Sequence, residues 1–471
     1  MRRRSLRYRL VRPMPVVFVA ACAACAACAA GAAGAAGAAA PTRAPAQRGA
    51  TELRADSDRD YAIWFGGAQV GTAHEVERWS PAGVTVQRTE AIHFLRGDVP
   101  VVIATAIEIT ADRALRPSRV TWTERAQATR HGEAVRDPTG WTVTGDAGVR
   151  RLPAAAIPAE LAPLVVRRDG RFAGPVFLPA RGFVAGAGRI EPVAPRRLVA
   201  RLVIQAGGGA PPVATTTGGA PEAAPEAAPE AMAESTIDLG DDAMPIRVVD
   251  GDGVIATRIT AAAAATAFSP VDLIAATSIP LGGPPASPAS PTSPASPTRL
   301  VLDGALAVPP VPGQASIATS DGVELTLSPR LRGGLPPGPA GPDRTHDIIA
   351  LVAGVHRRIA PDLAAAPTSA RAAAAASAGD CTTFALAYAA LAAAQAIPTR
   401  LVTGFRIDGD RLVRHRWAVS WAGRAWIAVD VAFGAVPAGG DLVGLAVHDA
   451  DDVGLLAGDA ALTRVRAAAR R

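Results

Sequence analysis

The pattern of hydrophobic and polar residues changes once along the chain, near residue 340. Between residues 60 and 144, apolar and polar positions alternate, as at Val84 and Val86, and turns rich in Gly and Pro separate the runs. Alternation with a period of two predicts antiparallel strands that bury one face and leave the other polar. This part of the chain is therefore predicted to form an antiparallel meander.

The β pattern continues beyond residue 144. The Asp250-Gly251-Asp252-Gly253 turn predicts a hairpin between residues 244–249 and 254–259, because such Gly-rich turns join paired strands. Further strands are predicted at 197–205, 300–308 and 322–327. We therefore predict an N-terminal β-rich domain over residues 56–333.

Two segments of biased composition interrupt this domain. Residues 206–234 are rich in Gly, Ala, Pro and Glu, and residues 282–298 alternate Ser, Pro and Ala. Neither composition can bury enough apolar surface to offset the entropy of ordering the chain. Both segments are predicted to be disordered insertions.

After the Pro-rich residues 335–342 the spacing of apolar positions becomes helical. Ile349, Val352 and Ile359 recur at helical intervals, which predicts a helix from 343 to 360. A second, Ala-rich helix is predicted from 382 to 395, and strands follow it. The predicted fold class is therefore α+β, with the β-rich domain preceding a mixed one.

The charge of the chain is concentrated at its N-terminus. The sequence contains no lysine, so the 48 basic residues are all arginines, and the net charge is +6. Six of these arginines lie within residues 2–12, and the remaining 42 match the 42 acidic residues. The positive charge is thus no argument for nucleic-acid binding. The absence of lysine also excludes a lysine Schiff base or a P-loop.

The N-terminal segment has the composition of an export signal. Its arginines precede an uncharged, Ala-rich stretch, and Val19-Ala20-Ala21-Cys22 resembles a bacterial lipobox, in which the cysteine is acylated. We predict an export signal over 1–21, lipidation at Cys22 and a tether over 22–55. This places the protein in the cell envelope, lipid-anchored on the periplasmic side or in the outer membrane. A signal peptide cleaved near Ala40 and a retained Ala-rich anchor are the alternatives.

Cys381 is the candidate nucleophile. The other three cysteines are Cys22, Cys25 and Cys28, in the Ala-rich N-terminal segment that we call the leader. An intrachain disulfide is therefore excluded in the rest of the chain. Asp380 is a good N-cap residue, which places Cys381 in the first turn of the predicted helix. Free backbone N–H groups and the helix dipole there favour the thiolate that a nucleophilic cysteine requires.

His415 and Asp430 are the candidate partners of this thiol. If Ala422-Gly423 form a two-residue hairpin turn, His415 and Asp430 face each other with Cβ atoms about 4.5–5.5 Å apart. A carboxylate at that distance can orient an imidazole. A turn longer by one residue would move Asp430 to the opposite face of the sheet. With the two-residue turn, Cys381, His415 and Asp430 together provide a nucleophile, a general base and an orienting group.

The motifs around these residues resemble the transglutaminase-like superfamily of papain-type thiol enzymes. They are Gly-Asp-Cys opening a helix, Ile-Pro-x-Arg before a strand, His-x-Trp, and Val-Asp. The resemblance implies a domain over 343–459, followed by an Arg-rich tail over 460–471. It assigns Cys381 as nucleophile, His415 as general base and acid, and Asp430 as its orienter. The preceding β region is similar to domains that accompany this module in bacterial envelope proteins.

The resemblance implies an exported thiol enzyme that acts on amide bonds through a thioester intermediate. Its expected partners are a protein or peptide substrate and, through the lipid anchor, a membrane. Hydrolysis is favoured over transamidation, and no cofactor, metal or nucleic acid is expected. The alternative is a non-catalytic envelope protein that binds a partner or acts as a scaffold while keeping this fold.

Overall fold

The structure of this protein is a computed structural model. It describes residues 55–126, 129–145, 148–204, 231–250, 254–283, 297–304, 307–320, 322–363, 365, 373 and 375–471. The predicted export signal, Cys22, the tether as far as residue 54, and residues 206–230 and 284–296 of the two predicted insertions lie outside these residues. Within the described ranges, every helix is too short or too polar to cross a membrane.

The first of two large sheets begins as a meander. From β1 to β8 each strand is antiparallel to the next one along the chain, which confirms the meander predicted from alternation. The strands are β1 (Ser57–Phe65), β2 (Ala68–Trp79), β3 (Gly83–Arg96), β4 (Val99–Asp112), β5 (Pro117–Arg125), β6 (Thr129–Asp137), β7 (Gly140–Gly145) and β8 (Gly148–Leu152).

The later strands of this sheet extend it on the other side of β1, where β15 pairs with β1. The predicted hairpin is confirmed as the antiparallel pair β14 and β15. The elements are β9 (Ile157–Pro158), α1 (Ala162–Asp169), β10 (Phe172–Leu178), β11 (Val184–Ala194), β12 (Arg197–Ile204), β13 (Ala231–Leu239), β14 (Pro245–Asp250), β15 (Ile255–Ile259), α2 (Ala261–Ala264), β16 (Val271–Asp272) and α3 (Leu273–Thr277).

The second sheet carries the candidate site and packs against three helices. Its strand order is β19-β20-β18-β27-β17-β24-β23-β26, with β25 paired to β24. The elements are β17 (Ile279–Gly282), β18 (Thr298–Asp303), β19 (Gln314–Thr319), β20 (Gly322–Leu327), α4 (Thr345–Arg358), β21 (Ala360–Pro361), β22 (Ala378–Gly379), α5 (Cys381–Ala394), β23 (Thr399–Asp408), β24 (Arg411–Trp421), β25 (Trp426–Val429), β26 (Leu442–His448), α6 (Asp452–Leu462) and β27 (Ala467–Arg470).

The boundary between the two sheets differs from the predicted boundary at residue 333. Strands β18 and β20 belong to the second sheet, and β17 pairs with β24. The predicted tail over 460–471 is likewise not a free end, because it contains β27, which pairs with β18 and β17. Alternation of apolar residues predicts a strand but carries no information about which sheet it joins.

The Pro-rich residues 335–342 do not separate two independent units. The indole N–H of Trp421 donates to the Pro339 carbonyl at 2.7 Å, and that of Trp426 donates to the Pro336 carbonyl at 2.7 Å. The segment therefore lies along the β24–β25 hairpin and fixes its end. The change of pattern after these residues marks the start of a helix but does not predict that the segment itself packs on the hairpin.

Helix α5 is the buried helix of the second sheet's domain. Ten of its residues, between Cys381 and Ala392, are buried. The apolar residues of the helix lie on all of its faces, as expected for a helix enclosed by protein. Tyr388 anchors it to the sheet, since its hydroxyl lies 2.7 Å from the Ser420 hydroxyl on β24. Helix α4 covers it through Ile348, Val352 and Val355, while Ile349 is exposed instead of joining the predicted buried stripe.

Candidate active site

The N-terminus of α5 presents Cys381. Asp380 is the N-cap residue, with φ −92° and ψ −176°, and its carboxylate accepts a hydrogen bond from the Thr383 N–H at 3.0 Å. Cys381 is therefore the first helical residue, and it is 0% exposed. The residue before Asp380 is Gly379, and a side chain does not fit there because a Cβ would lie 2.2 Å from Thr383 Oγ1.

The first turn of α5 is also tied to the sheet. Arg416, on β24, is buried and donates from Nη1 to Thr382 Oγ1 at 3.1 Å and from Nε to Thr403 Oγ1 at 2.8 Å. Its Nη2 donates to Asp459 of α6 at 2.8 Å. One guanidinium thus connects α5, two strands and α6, which fixes the position of the neighbouring Cys381 relative to β24.

The β24–β25 hairpin is paired two residues away from the predicted register. Trp421 pairs with Trp426, because the turn spans residues 422–425, so the predicted two-residue turn was wrong. Side chains alternate with a period of two, and a shift of two residues therefore leaves each residue on its predicted face. Asp430, which follows β25 directly, remains on the face of His415.

His415 and Asp430 form a buried hydrogen-bonded pair. His415 Nε2 lies 2.9 Å from Asp430 Oδ2, and the two residues are 2% and 1% exposed. A carboxylate only accepts hydrogen bonds, so Nε2–H donates and Nδ1 carries the lone pair of the neutral imidazole. Trp417 stacks on the ring at 6.0 Å between centroids, and Phe433 contacts it edge-on at 5.6 Å. Two aromatic side chains thus hold the imidazole plane.

A second cation shares the carboxylate of Asp430. Arg406 Nη1 donates to Asp430 Oδ2 at 3.0 Å, and its Nη2 lies 2.8 Å from Asp441 Oδ2. Its guanidinium also lies 3.6 Å from the centroid of the Phe433 ring. Arg406 was not predicted from the sequence. The Asp408-Gly409 turn was the available signal, because closing β23 on β24 there places Arg406 and His415 on one face.

The surroundings of His415 favour its charged form. Burial opposes protonation, but the charge of Asp430, the hydrogen bond with Asp430 and a hydrogen bond with the Cys381 thiol outweigh it and raise the pKa of His415 to about 10. This hydrogen bond brings the thiol, the imidazole and the carboxylate into one chain. Cys381, His415 and Asp430 are thus adjacent, and their catalytic roles remain a prediction.

The donor set suits nucleophilic rather than metal chemistry. The carboxylates near Cys381 are paired with cations, Asp430 with His415 and Arg406 and Asp380 with Arg96, and arginine does not ligate metals. Among the described residues, the group of side chains close enough to share a metal ion is Asp58, Asp60 and His74, on β1 and β2 of the first sheet. It takes no part in the candidate site.

A thiol at a helix N-terminus beside a histidine on an antiparallel sheet is compatible with an α+β thiol-enzyme fold. Residues 341–431 match the sequence model of the transglutaminase-like superfamily. The chain therefore carries a transglutaminase-like domain behind its β-rich region, which confirms the resemblance and the α+β fold.

Among solved structures, one match is the crystal structure of a β-barrel-like protein of a domain of unknown function from Brucella abortus. It has a TM-score of 0.30 and 8% sequence identity, and the match covers 44% of this chain and 96% of that chain. The search of curated proteins returned no match.

Proposed function

We propose that this protein is a thiol enzyme that cleaves amide bonds in proteins or peptides. Cys381 is the nucleophile, His415 the general base and acid, and Asp430 the group that orients His415. The observation that carries the proposal is the continuous chain of hydrogen bonds from the Cys381 thiol through His415 to Asp430, at 2.9 Å in its second link. Such a chain is the geometry that activates a nucleophile.

The reaction follows from the position of the proton. His415 takes the proton of the Cys381 thiol, and the thiolate attacks the carbonyl carbon of the amide, forming a C–S bond and a tetrahedral oxyanion. When the C–N bond breaks, the His415 imidazolium protonates the leaving amine, which leaves a thioester on Cys381. Water then attacks the thioester, His415 accepts its proton, and the carboxylic acid and free thiol are released.

Hydrolysis is proposed ahead of transamidation, in which an amine would replace water in the last step. The chain contains no lysine, so a lysine acceptor for transamidation would have to come from another molecule, whereas hydrolysis requires only water. We also propose that the protein is exported and anchored to the membrane through a lipid on Cys22. The basic, then Ala-rich leader that ends in a lipobox-like sequence supports this.

One observation favours the non-catalytic alternative, a binding or scaffold protein of the envelope. Cys381 is 0% exposed, so a substrate reaches the thiol only after a neighbouring group moves. A protein that retains this fold for binding alone has no need of a reactive thiol. The reactivity of Cys381 therefore distinguishes the two functions.

Alkylation by iodoacetamide tests that reactivity. We expect the alkylation rate of Cys381 at pH 6 to fall about tenfold or more in His415→Ala, because the thiolate loses its imidazolium partner. Mass spectrometry of the peptide that contains Cys381 separates this signal from the leader cysteines. His346→Ala, an exposed histidine on α4, is the matched control. Equal rates in His415→Ala and the wild type would favour the binding protein.

The pH dependence of activity gives a second test. The pKa of His415 is raised from 6.5 to about 10, so the imidazolium and the stability it contributes are present below pH 6.5 and are lost as the pH rises through about 10. We expect amide hydrolysis to decline on an alkaline limb near pH 10. Initial rates between pH 7 and 11, corrected for unfolding by circular dichroism, measure it. A decline centred near pH 7 would contradict the assigned environment of His415.

A further inference from the structure

Arg96 joins the first sheet to the N-terminus of α5. It is the last residue of β3, it is 0% exposed, and its Nη1 lies 3.5 Å from Asp380 Oδ2. The same nitrogen donates to the backbone carbonyl of Leu363. The hairpin that carries Arg96 is itself fixed, because the Gly97 N–H donates to Asp272 Oδ1 at 3.0 Å. A cation from the β-rich region is thus placed beside the residue that precedes Cys381.

Asp380 creates an electrostatic problem that this cation addresses. Its carboxylate caps the helix, yet it also places a negative charge next to a thiol that must itself become negative. Like charges on neighbouring residues disfavour ionisation of the second group, most strongly where both are buried. Burial raises the pKa of Asp380, and Arg96 is the foremost group opposing that rise. A cation beside Asp380 therefore makes its charged form compatible with a neighbouring thiolate.

We propose that Arg96 is a positioning residue that neutralises Asp380 and thereby allows the Cys381 thiolate to form, so that the β-rich region completes the site of the transglutaminase-like domain. This inference rests on the proposed function, since it concerns the reactivity of the same thiol.

The other charged groups near Cys381 do not replace Arg96. His415 faces the thiol from β24 and is paired with Asp430, which Arg406 also contacts. Arg416 also opposes the rise in the pKa of Asp380, but less than Arg96 does, and it is engaged with Thr382, Thr403 and the carboxylate of Asp459. Asp362, from the β21 segment, adds a further negative charge that acts on Arg96. Arg96 thus faces Asp380, Asp362 and the thiol together.

Packing stability alone does not account for a buried arginine here. Within the described part of the chain, Arg96 Nε and Nη2 have no hydrogen-bond partner, although both atoms are buried. Burial lowers the pKa of Arg96, which reflects the cost of holding the cation in this place. A well-packed apolar side chain avoids that cost, because buried ion pairs are often no better than apolar contacts for stability. A buried charge at this position therefore points to an effect on the neighbouring groups.

The test is the pH profile of Cys381 alkylation in the full-length protein. In Arg96→Gln we expect the alkylation rate at pH 6 to fall about tenfold and the half-maximal pH to rise by about one unit. Arg96→Lys, which keeps the charge, should remain near the wild type. Arg96→Gln combined with Asp380→Asn removes both charges and should restore the profile, since asparagine also caps helices well.

The control is Arg59→Gln, another buried arginine of the first sheet, which pairs with Glu75 and Glu77. It should lower thermal stability without moving the profile. If Arg96→Gln also lowers stability but leaves the profile unchanged, Arg96 is merely structural and the inference is overturned. Failure of the double variant to restore the profile would overturn the role of Asp380. If instead the wild-type profile does not depend on His415, the proposed function itself fails.

Discussion

Replacing Asp430 by asparagine is expected to lower kcat for amide hydrolysis by about 10³- to 10⁴-fold, the loss typical of removing the orienting carboxylate of a triad. Asp430 Oδ2 accepts the Nε2–H of His415 at 2.9 Å. An amide NH₂ turned toward Nε2 would favour the tautomer with the proton on Nδ1, which then cannot accept the thiol proton. The imidazolium also loses its counter-charge, so the alkaline limb should move below pH 10. Steady-state kinetics with a peptide amide measure both effects.

The fold should survive this substitution, so lost activity can be attributed to the site. Arg406 would keep its contact with Asp441 at 2.8 Å and its stacking on Phe433. Asp441→Asn is the matched control, because it removes the other carboxylate on Arg406 without touching His415, and it should cost less than about tenfold in kcat. Comparable losses in both variants would show that the charge on Arg406, rather than the orientation of His415, controls the rate.

Gly404→Ala is expected to destabilise the protein by about 3 kcal/mol and to abolish activity at temperatures where the wild type is active. A Cβ at residue 404 would lie 1.9 Å from the Val443 carbonyl oxygen, a contact with backbone that no rotamer change relieves. The position is also a register irregularity between β23 and β26, and it lies opposite His415 on β24. Moving β23 to make room would therefore displace the imidazole.

Thermal unfolding followed by circular dichroism measures this effect, with the remaining activity recorded below the transition. Gly354→Ala in α4 is the matched control, because a Cβ there meets nothing within 4 Å. It should stabilise the protein by up to about 1 kcal/mol through helix propensity. A Gly404→Ala variant as stable as the wild type would mean that β23 and β26 approach each other less closely than described.

The pairing of His415 with Asp430 could be predicted because of the alternation of side chains in strands. The turn was assigned two residues, whereas it spans 422–425, and the resulting register was wrong by two. An error of two preserves the face of every side chain, while an error of one would have separated the pair. The position of Cys381 was equally local, since Asp380 marks the start of its helix.

Long-range arrangements could not be predicted in this way. Arg96 and Asp380 are far apart in the sequence, and no spacing or periodicity of residues links the end of β3 to the start of α5. The same holds for β18, whose alternation resembles that of the first sheet although it pairs with β27. Such contacts depend on how whole elements pack, which a single sequence reports only through composition and local pattern.

The position of β27 has a consequence for the order in which the site assembles. This strand lies between β18 and β17, and β17 in turn pairs with β24, which carries His415. In the β18–β27 pair, Leu300 lies opposite Arg470. Such pairing joins residues distant in sequence, and contacts of this kind are slow to form. The strand that carries His415 therefore has β17 as its direct neighbour, and β17 gains its own second neighbour only when residues 467–470 are in place. A chain still being synthesised would carry Cys381 beside a sheet that lacks β27, and the second sheet would be complete only after this strand has docked.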